Sequence, residues 1–393
     1  MKYILPIIVL AQFLCTTLWF VGNAVMPEVV TDFGLDPLFF AHQTSAVQFG
    51  FISGTLLFAL LTLADRFSPS KVFFFSALAG AMFNLGILSS SNGFLSILVL
   101  RYLTGFFLAG IYPVGMKIAS DYFDKGLGKS LGLLVGALVL GTAFPHLLRG
   151  YMAEVPWRII IVSTSVLAVS GGLLIRSLVP DGPNRKQAGK LEMSASLTVF
   201  GNRSFRSAAF GYFGHMWELY TFWAFVPLML ITYTSLHPEV QWNVPVLSFL
   251  IIGAGSIACV LSGYLSAGIG LRTSAAVALF SSGACCLISP LMFTLDTPWL
   301  FLGFLVFWGM AVIADSPLFS TLVAQNANPH HRGSALTMVN CIGFSITIVS
   351  IQVIGELSTL MDDRYLYVWL AAGPAFGLIS LALGRKVEPQ PAL

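Results

Sequence analysis

Charge is scarce in this sequence. Asp, Glu, Lys and Arg make up only 9% of its 393 residues, against about 25% in soluble globular proteins. That shortage excludes an ordinary water-facing surface. Cysteine is sparse as well. Cys15, Cys259, Cys285, Cys286 and Cys341 all fall inside apolar runs, with no metal-ligand spacing, so they read as small packing residues. There is no Walker phosphate loop and therefore no ATP drive within the chain. No basic nucleic-acid patch and no catalytic constellation stands out, so neither an enzyme, a cofactor nor a nucleic-acid partner is expected. The net charge of +3 is small and says little about partners.

What the chain has instead is long apolar runs, with 56% hydrophobic residues. Twelve stretches start near Ile4, Thr44, Val72, Phe94, Ser130, Ile159, Ala208, Val244, Ser274, Leu300, Ala335 and Tyr365. About 20 apolar residues in a helix cross a hydrocarbon core of roughly 30 Å. Backbone polar groups cannot go unpaired in lipid, so helices are the economical reading. The first run continues from Tyr3 past Val21, beyond the ~7–15-residue core of a signal peptide, and is taken as span 1.

The basic residues fall on one side of these spans. Lys2, Arg66, Lys71, Lys117, Lys125, Lys129, Arg176, Arg185, Lys186, Lys190, Arg203, Arg206, Arg272, Arg332, Arg385 and Lys386 flank the even-numbered loops and the termini. Arg149, Arg158 and Arg364 flank the odd-numbered loops, and Arg101 lies within a span. The positive-inside rule then puts both termini in the cytoplasm of a multi-pass inner or plasma membrane protein. Asn202-Arg203-Ser204 matches a glycosylation sequon, but on the cytoplasmic side it is a chance match.

The longest polar interruption, 179–206, divides the spans six and six. Pro180-Asp181-Gly182-Pro183 stops the sixth helix, and a basic stretch follows. The predicted organisation is an N-terminal bundle over 1–178, a cytoplasmic linker over 179–206, a C-terminal bundle over 207–386 and a tail over 387–393. The halves echo each other. Gly105-Phe-Phe-Leu-Ala-Gly-Ile-Tyr-Pro113 in span 4 matches Gly309-Met-Ala-Val-Ile-Ala-Asp-Ser-Pro317 in span 10. Each is followed by a polar loop and a similar restart, Gly128-Lys129-Ser130-Leu131 and Gly333-Ser334-Ala335-Leu336. The loop after span 2, Leu61 to Lys71, has its counterpart in Gly263 to Arg272 after span 8. The fold class predicted is an all-α membrane protein, twelve transmembrane helices in two pseudo-symmetric six-helix bundles. Duplicated units of this kind build secondary transporters, with the substrate site between repeats near the midplane.

With these features the chain resembles the major facilitator superfamily over its whole length. Leu63-Ala64-Asp65-Arg66 followed by Lys71 is similar to the family's signature between spans 2 and 3, which implies a cytoplasmic gate latch at Asp65, Arg66 and Lys71. The leading glycine is replaced by Leu61 and a second by Ser68, and the second-half copy has Ala267 in place of the acid. Arg101-Tyr-Leu-Thr-Gly105 resembles the span 4 signature, whose arginine is tied to proton or substrate coupling. The Gly-Pro pair of drug and proton antiporters is missing from span 5, where Pro145 follows Phe144. The paired arginines of nitrate porters and the sugar-porter loops are also absent.

Ionisable groups at bilayer depth cost roughly 2.5–3.5 kcal/mol on insertion scales and mark functional positions. Here they are Arg101, His146, His215, Glu218 and Asp315. The resemblance places spans 1, 4, 7 and 10 around a central cavity, and four of the five lie on those spans. Glu218 is the first candidate for the coupling carboxylate. It sits about 11 residues into span 7, roughly 16 Å deep. His215 is three residues earlier on the same helix face, and Phe222 continues the stripe; the alternatives are a constant ion pair for Glu218 and plain packing for His215. Arg101 could fork onto a substrate carboxylate or phosphate, or form a constant ion pair, even with Glu218. Asp315, two residues before Pro317, is a second proton or cation site or else satisfies amides freed by the kink. Tyr112 shares the Arg101 stripe. Trp19 and Asn23 line the cavity or pack. His146, beside Pro145, serves packing or gating. The glycine pairs Gly50/Gly54, Gly132/Gly136 and Gly373/Gly377 permit close helix contacts.

The expected function is proton-coupled alternating access by a monomer that moves a small organic anion or zwitterion, with symport as the first reading. The alternatives are a proton antiporter exporting a hydrophobic or cationic compound and, from another class, a non-transporting membrane sensor on the same fold.

Overall fold

The computed structural model describes residues 3–123, 127–152, 154–185, 199–327 and 332–384, except the side chains of 127–129 and 332. Lys2, Lys125, Lys186, Lys190, Arg385 and Lys386, the side chains of Lys129 and Arg332, residues 186–198 of the expected linker and the tail lie outside them. The twelve helical spans are numbered in chain order. Span 1 is Ile4–Thr16, Val21–Ala24 and Met26–Phe33; span 2 is Phe39–Leu60; span 3 is Pro69–Gly86. Span 4 is Phe94–Leu108 and Tyr112–Tyr122; span 5 is Leu127–Tyr151; span 6 is Trp157–Leu178. Span 7 is Arg203–Leu236, span 8 Val244–Ile269 and span 9 Leu271–Phe293. Span 10 is Pro298–Ala314 and Ser316–Asn326, and span 11 is Arg332–Leu357. Span 12 is Asp363–Leu366, the 3-10 turn Tyr367–Ala371 and Ala372–Leu383. Span 7 therefore opens inside the stretch the sequence assigned to the linker.

Among the described residues, nine helices are long and apolar enough to cross a membrane unaided, those of spans 4 to 12. The first three fall short for visible reasons. Span 1 is broken into three pieces. Span 2 carries His42, Gln43 and Gln48. Span 3 is 18 residues long, begins Pro69-Ser70-Lys71 and contains Asn84.

The pairing of spans shows the duplication directly. Within the first half span 2 packs on 4, 3 on 6, 1 on 6, 1 on 5 and 3 on 4. Within the second half the same five pairs recur six spans later: 8 on 10, 9 on 12, 7 on 12, 7 on 11 and 9 on 10. The halves meet through spans 5 and 8 and, related by the same pseudo-symmetry, through spans 11 and 2. The Gly-to-Pro echo also has a structural content. Spans 4 and 10 break at corresponding places, with Pro113 and Pro317 in the first turn of the resumed helices. Proline lacks the amide that a continuous helix would use and its ring excludes the preceding turn, so the break falls just before it.

The closest crossing within a half is between spans 2 and 4. A Cβ on Gly50, Gly54 or Gly105 would collide with the backbone of Tyr102, Phe106 or Val47 respectively. Gly373 meets the Gly214 backbone of span 7 in the same way, while a Cβ on Gly377 would run into the Leu279 side chain and come to 3.2 Å from the Gly211 carbonyl. Gly132 and Gly136 differ from expectation. Gly132 has nothing within 4 Å, and Gly136 makes only an ordinary 3.5 Å approach to the Ser256 carbonyl. Gly105→Ala should therefore cost about 1–3 kcal/mol by overpacking, while Gly132→Ala should be neutral or slightly stabilising through helix propensity. Melting temperatures of the two variants in detergent measure this; equal values would mean that the span 2–span 4 crossing is loose.

Candidate functional site

In the first half the polar groups gather at the break in span 1. The break turns the carbonyls of Leu18 and Trp19 away from a helix ladder, and they need donors. Arg101 of span 4 supplies them. One terminal nitrogen donates to Leu18 O at 3.1 Å and Trp19 O at 2.7 Å, and the other to Asn84 Oδ1 at 3.2 Å. Asn84 of span 3 is held in turn by its own donation to Ser165 Oγ of span 6 at 3.0 Å. The arginine is 1% exposed, and its fork closes on backbone and amide oxygens, not on a carboxylate. Gly22 makes room: a Cβ there would run into the Gln43 side chain and come to 3.3 Å from Arg101 Nε. Asn23 belongs to the same knot, donating to Thr44 Oγ1 and accepting from Gln43 Nε2, both at 2.9 Å.

The second half holds acids. Glu218 of span 7 is 1% exposed. Its Oε1 accepts from Trp308 Nε1 of span 10 at 2.7 Å and from Cys286 Sγ of span 9 at 3.3 Å, and its Oε2 accepts from Ser282 Oγ at 2.8 Å. All three donors are neutral. One turn earlier on span 7, His215 Nδ1 lies 2.7 Å from Asp315 Oδ1, and both side chains are 1% exposed. Asp315 stands at the break of span 10 and makes no side-chain cap there. Its carboxylate goes to the histidine, not to amides freed by Pro317. His215 Nε2 has no hydrogen-bond partner. Phe222 packs its ring 4.7 Å from Trp308, closing the cage around Glu218.

Arg101 and Glu218 are not paired. A plate of aromatic rings lies where the halves meet. Trp19 stacks on Tyr220 at 5.9 Å, Phe20 meets Trp223 at 6.2 Å and Phe51 meets Phe344 at 4.7 Å. The indole nitrogens of Trp19 and Trp223 are buried without partners. Tyr112 is half-buried where span 4 resumes. His146 is buried in span 5 with Nε2 unpartnered. Gln12 and Gln48 are buried with both amide atoms unpartnered. These glutamines, with Asn84, Ser282 and Trp308, are the residues that attention to ionisable groups alone passed over. A glutamine inside an apolar run is the signal that would have found the first two.

The two ends of the molecule differ. At the end away from the linker the halves are stitched together. His42 Nδ1 and Gln352 Oε1 are 3.0 Å apart, Gln352 Nε2 donates to Ser45 Oγ at 2.7 Å, and Asn243 Nδ2 donates to Gly150 O at 3.1 Å. At the linker end a cavity of about 360 Å³ opens between spans 5, 8 and 10, lined by Gly132, Gly263 and Pro317 among others. Of the expected latch, Asp65 is engaged with Lys117 at 2.9 Å, and Lys117 also lies 3.5 Å from Asp121. Arg185 adds donations to the Asp65 and Phe67 carbonyls at 2.9 and 2.8 Å. Arg66 and Lys71 enter no side-chain hydrogen bond or ion pair among the described residues. The cluster joins the span 2–3 loop to span 4 and the start of the linker, all within the first half.

The chain belongs to the major facilitator superfamily, whose model matches residues 8–351. Two solved structures share the fold. One is a bacterial homologue of the human lysosomal transporter Spinster, inward-facing and unoccupied, at 15% identity and TM-score 0.68, covering 98% of this chain and 96% of that one. The other is a point mutant of the nucleoside transporter NupG, at 13% identity and TM-score 0.74, covering 98% of this chain and 100% of that one. No curated protein matches the chain by sequence. The chain is thus a multi-pass membrane transporter of small molecules, a secondary transporter and not an enzyme.

Because the guanidinium of Arg101 holds a helix break, Arg101→Lys should weaken the fold itself. An ammonium cannot span the three acceptors, and a buried carbonyl left bare costs about 1–3 kcal/mol. The expected result is a lower melting temperature without any added solute. An unchanged one would mean that the break stands without Arg101.

Proposed function

We propose that this transporter is driven by protons taken and released in its second half, and that it exports a cationic or apolar solute in exchange. The supporting observation is the buried acid cluster: Glu218 among neutral donors and Asp315 against His215, with no lysine or arginine among the described residues in contact with either. A charged Glu218 accepts from all three donors. A protonated one becomes a donor at one oxygen, so the Ser282 hydroxyl can turn its own proton to the Leu279 carbonyl, 3.2 Å away, and accept from Glu218 instead. Those partners sit on spans 9 and 10, so a proton rearranges the bonds that tie span 7 to its neighbours. A cationic solute competes with the proton for the same carboxylates.

Uptake of an anion or zwitterion by symport finds less support. That reading relied on the Arg101 fork, whose two terminal nitrogens are engaged by Leu18, Trp19 and Asn84, leaving Nε without a partner. Among the described basic residues Arg66, Lys71, Lys117, Arg176, Arg185, Arg203, Arg206 and Arg272 belong to the linker end, which favours termini in the cytoplasm. The stitched end is then external, and the protein is closed outward. Rocking the halves would open it.

Two experiments test this. In proteoliposomes with a lipophilic cation such as tetraphenylphosphonium as probe, Glu218→Gln should abolish accumulation driven by a pH gradient while sparing probe–probe exchange. Undiminished uphill movement in that variant would remove Glu218 from the coupling step. The second tests rocking. A Cβ on Gly355 would sit 3.1 Å from Ala41 Cβ, close to disulfide range. Ala41→Cys with Gly355→Cys should cross-link under oxidant and stop transport, and reductant should restore it. Full transport by the cross-linked protein would mean that the outer ends need not part.

A further inference from the structure

The linker ends of the two halves handle positive charge differently. In the first half acids answer Lys117 and Arg185, though among the described residues not Arg66 or Lys71. Lys117 pairs with Asp65 and Asp121, and Arg185 pairs with Asp181 at 2.7 Å. In the second half the described carboxylates are elsewhere. Glu218 and Asp315 are buried at depth, and Glu239, Asp296, Glu356, Asp362 and Asp363 flank loops at the far end. Among the described residues Arg203 and Arg206, one turn apart at the start of span 7, meet only carbonyls. Arg203 donates to Leu383 O, and Arg206 to Phe200 O at 3.1 Å. A carbonyl satisfies a donor but leaves the ionic charge uncompensated. Each guanidinium has five N–H donors, so both retain some for another acceptor.

These arginines rim a groove of about 470 Å³ between spans 7 and 12. Its walls include Phe210, Phe376, Ile379 and Leu383. Phe376, Ile379 and Leu383 are 47%, 59% and 65% exposed, so this side faces acyl chains when the protein is in a bilayer. Phe210 lies one turn deeper than Arg206, with its ring 5.6 Å from that of Phe376. Positive charge thus stands at headgroup depth and an apolar slot runs inward from it. Basic pockets between transmembrane helices at a cytoplasmic face suit anionic headgroups, and a guanidinium fits phosphate oxygens in a bidentate fork.

We propose that this groove binds an anionic phospholipid of the leaflet at the linker end, its phosphate on Arg203 and Arg206 and an acyl chain along Phe210, Phe376 and Ile379. Ser207 donates to Ser380 O at 2.8 Å across the two spans, so a lipid seated there braces span 12 against span 7.

The test uses the full chain in detergent with neutral phosphatidylcholine. Melting temperature is read as phosphatidylglycerol, more phosphatidylcholine or inorganic phosphate is added. Phosphatidylglycerol should raise it, and the other two should not. Arg203→Gln with Arg206→Gln should lose at least two-thirds of that rise, measured from the variant's own baseline. Arg176→Gln removes one charge from the linker end of span 6 and should keep the whole rise. Arg206→Gln alone leaves Arg203 on the Leu383 carbonyl and serves if the double variant does not fold; it should lose at least half. The proposal is overturned if the arginine variants keep the full rise, if Arg176→Gln loses as much as they do, or if inorganic phosphate reproduces the effect.

Discussion

A bilayer interior holds no water to take up a stray polar group, so every helix break and every charge in this chain has to be answered from within the protein. The break in span 1 shows what this requires. Two turned-out carbonyls, at Leu18 and Trp19, draw in an arginine from span 4, and that arginine is steadied by an asparagine of span 3 that is itself anchored on span 6. Four helices are tied together by one interrupted ladder. A continuous span 1 would need none of these groups, and the glycine at position 22 would have no task.

The duplicated halves meet the same constraint with opposite charges. Spans 4 and 10 break at matching positions ahead of Pro113 and Pro317. Ile111 stands before the resumed helix in one half and Asp315 in the other. Arg101 has an apolar counterpart, Leu305, in span 10. The backbone symmetry survives, as the five recurring span pairings attest, while the ionic groups have moved to different places in it. The first half is left with a fixed cation serving as a strut. The second has acids with neutral or titratable partners, which suits exchange of a proton far better.

Much of the fold could be read from the sequence because hydrophobic length and repeat register are local properties. The twelve runs, the Gly-to-Pro echo and the restarts at Gly128 and Gly333 each carry their meaning within some ten to twenty residues. The breaks in span 1 were hidden, since no proline marks the first of them and residues 17–20 are as apolar as a helix demands. For the site, depth identified Glu218, His215 and Asp315 as buried ionic groups, and spacing put Glu218 and His215 on one face of span 7. The partners were not legible. That His215 would meet Asp315, and that Arg101 would spend its fork on carbonyls, depends on how helices rotate against each other. Single-residue patterns do not encode that rotation. The surroundings of Asp65 were half legible for the same reason: Asp65 stands in a recognisable motif, but its cation, Lys117, comes from another helix.

The aromatic plate limits how the halves can communicate. Arg101 and Glu218 share no direct contact, so a signal cannot pass between them by a simple exchange of charge. Span 7 offers another route. His215, Glu218 and Phe222 occupy one stripe of that helix, while Tyr220 and Trp223 project from another part of its circumference toward Trp19 and Phe20. On the proposed reading a proton at Glu218 rearranges its hydrogen bonds to spans 9 and 10. The rigid helix carries any resulting rotation to the rings it holds against span 1. Trp19 is the residue there whose carbonyl Arg101 grips. The strut in the first half and the acids in the second are thus linked by two helices in series, with ring packing as the joint between them. Packed rings resist continuous deformation and favour discrete arrangements, which is the property that the proposed rocking would require of the plate between the halves.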